Sequence, residues 1–301
     1  MNTAISSPAR ATSAARATML IPALLACYLV WGSTYLAIRV ALPGFPPFLQ
    51  MGSRFLVAGA LLMAWCIARG HAAPTLTHWR NALIVGALML GGGMGGVATA
   101  SRHIGSGLIA SFIAVVPMMV CAWGFFFGRR VSRLELGGMA LGLAGVASLM
   151  QGASFAAAPT GLACIAGATL AWSLGSVLST TCLPLASGPA GFASEMLCGG
   201  AVLMLISLAL GEQLAAPLPA SAMLAWLYLV LFGSLIAFSA YLYLLAHSTT
   251  AMATSYAFVN PLIALFLGVI FGNEIVTRIE WWACGVILAG VLLILSASKK
   301  R

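Results

Sequence analysis

The chain is made almost entirely of apolar runs about as long as a lipid bilayer is thick. They recur near 19–41, 46–68, 79–100, 104–127, 132–151, 159–179, 189–210, 222–246, 249–272 and 279–297. A helix of about 20 residues crosses a ~30 Å hydrocarbon core, and backbone polar groups inside lipid must be satisfied within the span itself. The expected fold is therefore an all-α polytopic membrane protein with ten transmembrane helices. Connections such as LPGFPP (42–47) and LPLASGP (183–189) are short and carry turn chemistry, which leaves no room for a soluble domain. With 62% hydrophobic and only 6% charged residues among 301, no soluble core could hide so much apolar surface.

Residues 1–18 are small, polar and basic, and are expected to form a disordered cytoplasmic tail. The run that follows is too long for the apolar part of a signal peptide. Cytoplasmic loops hold the excess of Lys and Arg. With the N-terminus inside, Arg10, Arg16, Arg69, Arg80, Arg129, Arg130, Arg133, Lys299, Lys300 and Arg301 fall on the inner side, against Arg102 and Arg278 outside. Both termini are thus expected in the cytoplasm, with 299–301 as a basic end. The formal charge of +9 reads as topology and lipid-headgroup contact; basic residues scattered over separate loops do not make a nucleic-acid surface. Seven cysteines lie in or beside apolar segments without CxxC spacing, and the four histidines lack metal-ligand spacing, so neither a metal site nor a cofactor is expected.

The chain repeats itself. An offset of 141 sets Trp31 on Trp172, Pro43 on Pro184, Ser53 on Ser194, Gly59 on Gly200 and Met63 on Met204; 144 sets His103 on His247, Ser111 on Ser255 and Pro117 on Pro261; 145 sets RLE (133–135) on RIE (278–280). Each unit, 19–151 and 152–298, holds five spans. An odd number forces the second unit into the membrane upside down, and inverted repeats of this kind support alternating access around a site near the midplane.

The layout of five plus five spans, VWGSTYLAIR in the first, SRF in the second, Pro117 and Pro261, and the basic loop with RLE resemble EamA-type members of the drug/metabolite transporter superfamily. Within it the chain is most similar to the YddG-type exporters of aromatic and other amino acids. The resemblance implies a bacterial inner-membrane efflux carrier for a small-molecule substrate, with a central cavity formed mainly by spans 1, 3, 4, 6, 8 and 9, and no obligate protein partner. One departure is Ser173, which stands where the first repeat has Gly32.

Candidate site residues follow. GGGMGG (91–96) lies at mid-depth in span three, where Gly91 and Gly95, with Met94, either make space for a ligand or let helices approach closely through GxxxG spacing. Its repeat partner is bulky, with Phe238 and Tyr241. Trp31 and Tyr35 share a helix face, and Trp31 and Trp172 lie too deep for an interfacial belt. Pro117 and Pro261 interrupt their spans and free backbone carbonyls; with Ser111, Ser255, Tyr256 and Asn260 these groups suit a zwitterion. Ionisable residues deep in the bilayer are functional candidates. Arg54 and Glu195 occupy matching places with opposite charge and can form a pair if their side chains span about 10 Å along the helix axis.

The chain has no Asp, and Glu195 is its only clear intramembrane carboxylate, which disfavours permanent cations and leaves neutral or zwitterionic solutes. So sparse an inventory fits facilitated export, with any proton coupling running through Glu195. Other small metabolites or drugs are the alternative cargo. An intramembrane hydrolase built on His103 and Ser106 is the remote alternative, because Ser106 reads more simply as a helix cap.

Overall fold

The structure, a computed structural model, describes residues 19–127, 132–151, 158–248, 252 and 255–298. The N-terminal tail, Arg129, Arg130 and residues 299–301, on which much of the charge bias rests, lie outside the described residues. Those described are helical, with connecting turns and no strand. The helices are α1 (Met19–Ala41), α2 (Pro47–Ala68), α3 (Leu76–Ala100), α4 (Ser106–Phe126), α5 (Arg133–Met150), α6 (Pro159–Thr181), α7 (Pro189–Ala209), α8 (Ala220–Leu244), α9 (Tyr256–Phe271) and α10 (Arg278–Ser298). Seven of them, α1 to α4 and α6 to α8, are long and apolar enough to cross a membrane. At 16 residues, α9 is about 24 Å long by helix rise, short of a full crossing.

Helix starts are written in the local sequence. Pro opens α2, α6 and α7 in the first turn, where its missing N–H costs nothing. The repeated RLE and RIE are the inner halves of capping boxes. Ser132 and Glu135 close one at α5 (2.7 and 3.2 Å), and Thr277 and Glu280 close the other at α10 (2.7 and 3.3 Å). Each satisfies two orphan N–H groups.

The burial pattern is that of a protein in lipid. Leu205, Leu208, Phe266 and Trp282 point outward, while Gln50, Ser106, Ser111, Ser173 and Ser194 are fully buried. Matched helices of the two halves meet antiparallel and reciprocally. On α2 and α7, Gly59 lies against Leu197 and Gly200 against Leu56; at offset 141 these are one contact seen twice. On α5 and α10, Gly145 lies against Ile287 and Gly290 against Gly142, again one contact repeated at 145. Missing side chains let these backbones touch, which van der Waals packing in lipid rewards.

Two helices carry an irregularity at the same place. Residues Ala87–Met94 of α3 and Leu229–Ile236 of α8 are π-helical, eight residues each, and begin 142 positions apart. A shorter π turn, Ala26–Val30, precedes Trp31 in α1. Such segments concentrate at functional sites because the widened turn disturbs the regular carbonyl ladder. The prolines differ. The α-helix of α4 stops at Ile113 and restarts at Val116, with Pro117 in the new first turn, whereas Pro261 sits inside an uninterrupted α9. The expected pair of kinks is thus one break and one continuous helix.

Candidate functional site

Trp31 is the centre of an aromatic cluster drawn from α1, α7, α8 and α9. Its ring centroid lies 5.3 Å from Phe238, 5.5 Å from Tyr241 and 4.7 Å from Tyr256. Tyr241 and Tyr256 meet at 5.7 Å, and Phe192 reaches Phe238 at 5.3 Å. Edge-on and tilted arrangements of this kind suit the ring quadrupoles. The indole Nε1 of Trp31 donates to the carbonyl of Gly233 (3.1 Å), inside the π-helical segment of α8. The wider turn thus presents an acceptor to the one polar atom of the cluster's central ring.

A cation reaches the same glycine. Arg54, 3% exposed, donates from Nε to Ser234 Oγ (2.9 Å) and from Nη1 toward Met51 Sδ (3.8 Å), with its Cζ 4.9 Å from the Phe55 ring centre. A Cβ on Gly233 would stand 3.1 Å from Nη2 of Arg54 and from Thr34 Cγ2. Among the described residues no carboxylate pairs with Arg54. Polar groups line the other flank. Tyr28 shares a 2.6 Å hydrogen bond with Ser255, and the side-chain amide of Asn260, 5% exposed, is satisfied when oriented so that its nitrogen donates to the carbonyls of Tyr28 and Tyr256 (3.2 Å each). These bonds tie α9 to α1 just before Pro261.

Several expected residues lie elsewhere. Trp172 does not join the cluster; its ring covers Gly93 of α3, where a Cβ would stand 2.8 Å from Cε3. Ser111 is buried against α10, donating to Gly107 O (2.8 Å) and toward Cys284 Sγ (3.4 Å). Tyr35 and Met94 pack against the main core. The glycines of α3 are contact surfaces in this conformation and leave no hollow. A Cβ on Gly91 would meet Val202 at 3.3 Å, on Gly92 Ala171 at 2.8 Å, on Gly95 both Leu203 and Phe48 at 2.9 Å, and on Gly96 Ala168 at 2.9 Å. Close packing, the alternative to open space, is what these neighbours enforce here.

The Arg54–Glu195 pair is not formed. On antiparallel α2 and α7, Gly52 lies against Met204 and Gly59 against Met196, which puts Arg54 level with Val202 and Glu195 level with Leu61. Seven residues separate the levels, about 10 Å by helix rise, and Arg54 spends its reach on Ser234.

Two arrangements were not legible in the sequence. Ser173 accepts from Trp123 Nε1 (3.0 Å), so the residue that departs from Gly32 links α6 to α4. Glu274, in the turn after α9, accepts from Arg39 Nη1 (2.6 Å), from N–H and Oγ of Ser106 (2.6 and 2.7 Å) and from N–H of Gly107 (3.1 Å). This carboxylate caps α4 from a distant connection and ties it to α1. The Ser106 hydroxyl is committed to that cap, and the hydrogen bond to His103 that a nucleophile–base pair needs is absent among the described residues. A pocket of about 380 Å³ beside the cap is lined by Arg39, His103, Asn273 and Glu274 among others. A smaller one, about 180 Å³, lies between α6 and α7 and is walled by Ser179, Gly191 and Phe192.

Apolar helices long enough to span lipid, with an aromatic cluster and a buried cation turned inward, define a polytopic membrane protein with a polar-aromatic interior. The chain belongs to the EamA-like transporter family, which it matches over residues 18–151 and again over 159–296. It is 42% identical to the uncharacterized inner membrane transporter YedA of Escherichia coli (strain K12) over 276 residues, 91% of this chain and 90% of that one. Protein PecM of Dickeya dadantii is 27% identical over 89% of this chain and 87% of its own length. A crystal structure at 20% identity superposes with a TM-score of 0.63 over 95% of this chain and 99% of the other, a likeness of fold alone.

Proposed function

We propose that the protein is a bacterial inner-membrane exporter of bulky neutral amino acids, aromatic ones above all, of the YddG type. It works by alternating access of two inverted five-helix repeats, with both termini in the cytoplasm. The reading rests chiefly on Arg54, a buried guanidinium without a carboxylate partner among the described residues, which shares Gly233 with the Trp31 cluster. A buried cation gains several kcal/mol from an anionic ligand that replaces its lost hydration. A planar guanidinium suits a carboxylate, and the rings of Trp31, Phe238, Tyr241 and Tyr256 can open around an apolar or aromatic side chain. Asn260, Ser255 and Tyr28 supply the polar flank. The reciprocal contacts between α2 and α7 and between α5 and α10 support the inverted-repeat reading, since a two-fold axis in the membrane plane makes matched helices meet antiparallel. The name of the Escherichia coli relative supports the compartment.

The test is flux of labelled phenylalanine into liposomes bearing the purified protein. Saturable uptake that falls at least about tenfold in Trp31→Ala and in Arg54→Gln, the loss of one charge-assisted contact by scale, is the expected result. Uptake of phenylalanine no faster than in empty vesicles ends the amino-acid reading.

A further inference from the structure

Glutamate supplies all five acidic side chains of this chain, and four of them hold helix ends. Glu135 and Glu280 complete capping boxes. Glu212 accepts from the N–H groups of Leu49 (2.7 Å) and Phe48 (3.4 Å) at the start of α2, and Glu274 caps α4. The fifth is Glu195, two turns into α7 and 6% exposed. Among the described residues it has neither a hydrogen-bond nor an ion-pair partner. An ionised carboxylate held in so buried a place without a partner costs several kcal/mol.

The helices packed on α7 offer it no counter-charge. On α2 the ionisable groups are Arg54, two turns away and bound to Ser234, and Cys66. On α3 they are His78, which closes the Thr75 cap, and exposed Arg80, which reaches Asn81; the π segment of α3 has none. On α8, touched through Phe192, Tyr241 belongs to the aromatic cluster and Tyr228 is bonded to Ser33, while His247, just past its end, stacks on Tyr243. An open pocket is close at hand. Gly191 and Phe192 wall the pocket of about 180 Å³ between α6 and α7, and residues three and four apart share a helix face, so Glu195 lies one turn deeper on the face that borders that pocket.

We propose that Glu195 is the proton-binding site of the carrier cycle. Resting on the amino-acid reading above, it couples export to protons: the carboxyl takes a proton from water at one face of the membrane, releases it to water at the other, and in its ionised form receives the ammonium group of the departing amino acid. One proton then moves inward for each neutral solute moved outward. The aromatic cluster is one turn away through Phe192 and Phe238, so solute and proton compete within a single chamber.

Infrared difference spectra of the full-length protein in lipid bilayers, recorded while the pH is stepped without any solute, test the proton site directly. The carbonyl stretch of a protonated carboxylic acid should appear on acidification, shift in Glu195→Asp and vanish in Glu195→Gln; spectra in which Glu195→Gln changes nothing overturn the proposal, whatever the protein carries. Flux in the same vesicles then separates the two readings. An inward-acid gradient should drive phenylalanine accumulation in the wild type and in Glu195→Asp, and Glu195→Gln, which can neither titrate nor counter the ammonium charge, should lose that accumulation. Accumulation that persists in Glu195→Gln overturns the coupling. A Glu195 band without any phenylalanine flux overturns the amino-acid reading and leaves the proton site standing.

Discussion

Trp31 shows how much of a membrane site one side chain can organise. Its ring touches three others and its single polar hydrogen is satisfied by Gly233. Trp31→Phe keeps most of the apolar surface but leaves that carbonyl, inside a low-dielectric core, without its donor. The expected cost is about 1 to 2 kcal/mol, read as a lower thermal midpoint in detergent, and phenylalanine should slow the unfolding of the wild type more than of the variant. The depth of Trp31 in its span and the bulk of the 235–243 stretch made this cluster readable from sequence. Trp172 was not readable in the same way. Its repeat position is identical, but the helix it faces carries Gly93 where α8 carries larger residues, so the same side chain fills a gap in place of joining an aromatic cluster. Ser111 misled for a related reason: its hydroxyl can satisfy itself on the preceding turn through Gly107, and a buried Ser needs no ligand to be at ease.

Between elements, glycine sets the distances. Gly96 has Ala168 at 2.9 Å and the carbonyl of Cys164 at 3.1 Å from a Cβ position. Gly96→Val must push α6 away from α3, and overpacking of this kind typically costs 1 to 3 kcal/mol. Loss of folded protein on size-exclusion chromatography after mild heating should report it. Gly137, with nothing near its Cβ position, is the control, and Gly137→Ala should leave stability unchanged or slightly raised. The cap formed by Glu274 is the other inter-element device. Glu274→Ala strips acceptors from Ser106, Gly107 and Arg39 together, so hydrogen exchange should quicken at the first turn of α4, with a stability loss of about 1 to 3 kcal/mol. Helix positions and their proline starts were legible because they follow from local chemistry. This cap was not, because it joins residues 168 apart along the chain and no periodicity announces it.

At the scale of the whole molecule, the duplicated sequence and the reciprocal helix contacts describe one relation. Cysteine-accessibility labelling in intact cells should find positions 43 and 213 open to reagent from outside and positions 72 and 186 protected, as the distribution of Lys and Arg requires. Labelling of 72 and 186 from outside sinks the topology. The matched halves are not identical in charge. Arg54 and Glu195 are repeat partners, and so are the Glu274 cap and a stretch that holds Arg129 and Arg130 at the corresponding place.

That last inequality bears on energetics. A carrier whose halves were perfect copies would spend equal time facing each way. On the proposed topology the Glu274 carboxylate, which accepts from four groups of Arg39, Ser106 and Gly107, bolts the outer end alone, because the repeat-related sequence position carries arginine and supplies no carboxylate, so the resting population should favour the inward-open form. Salt screens such bolts; raising ionic strength should hasten the outward swing more than the return and bring the two half-cycles closer to parity.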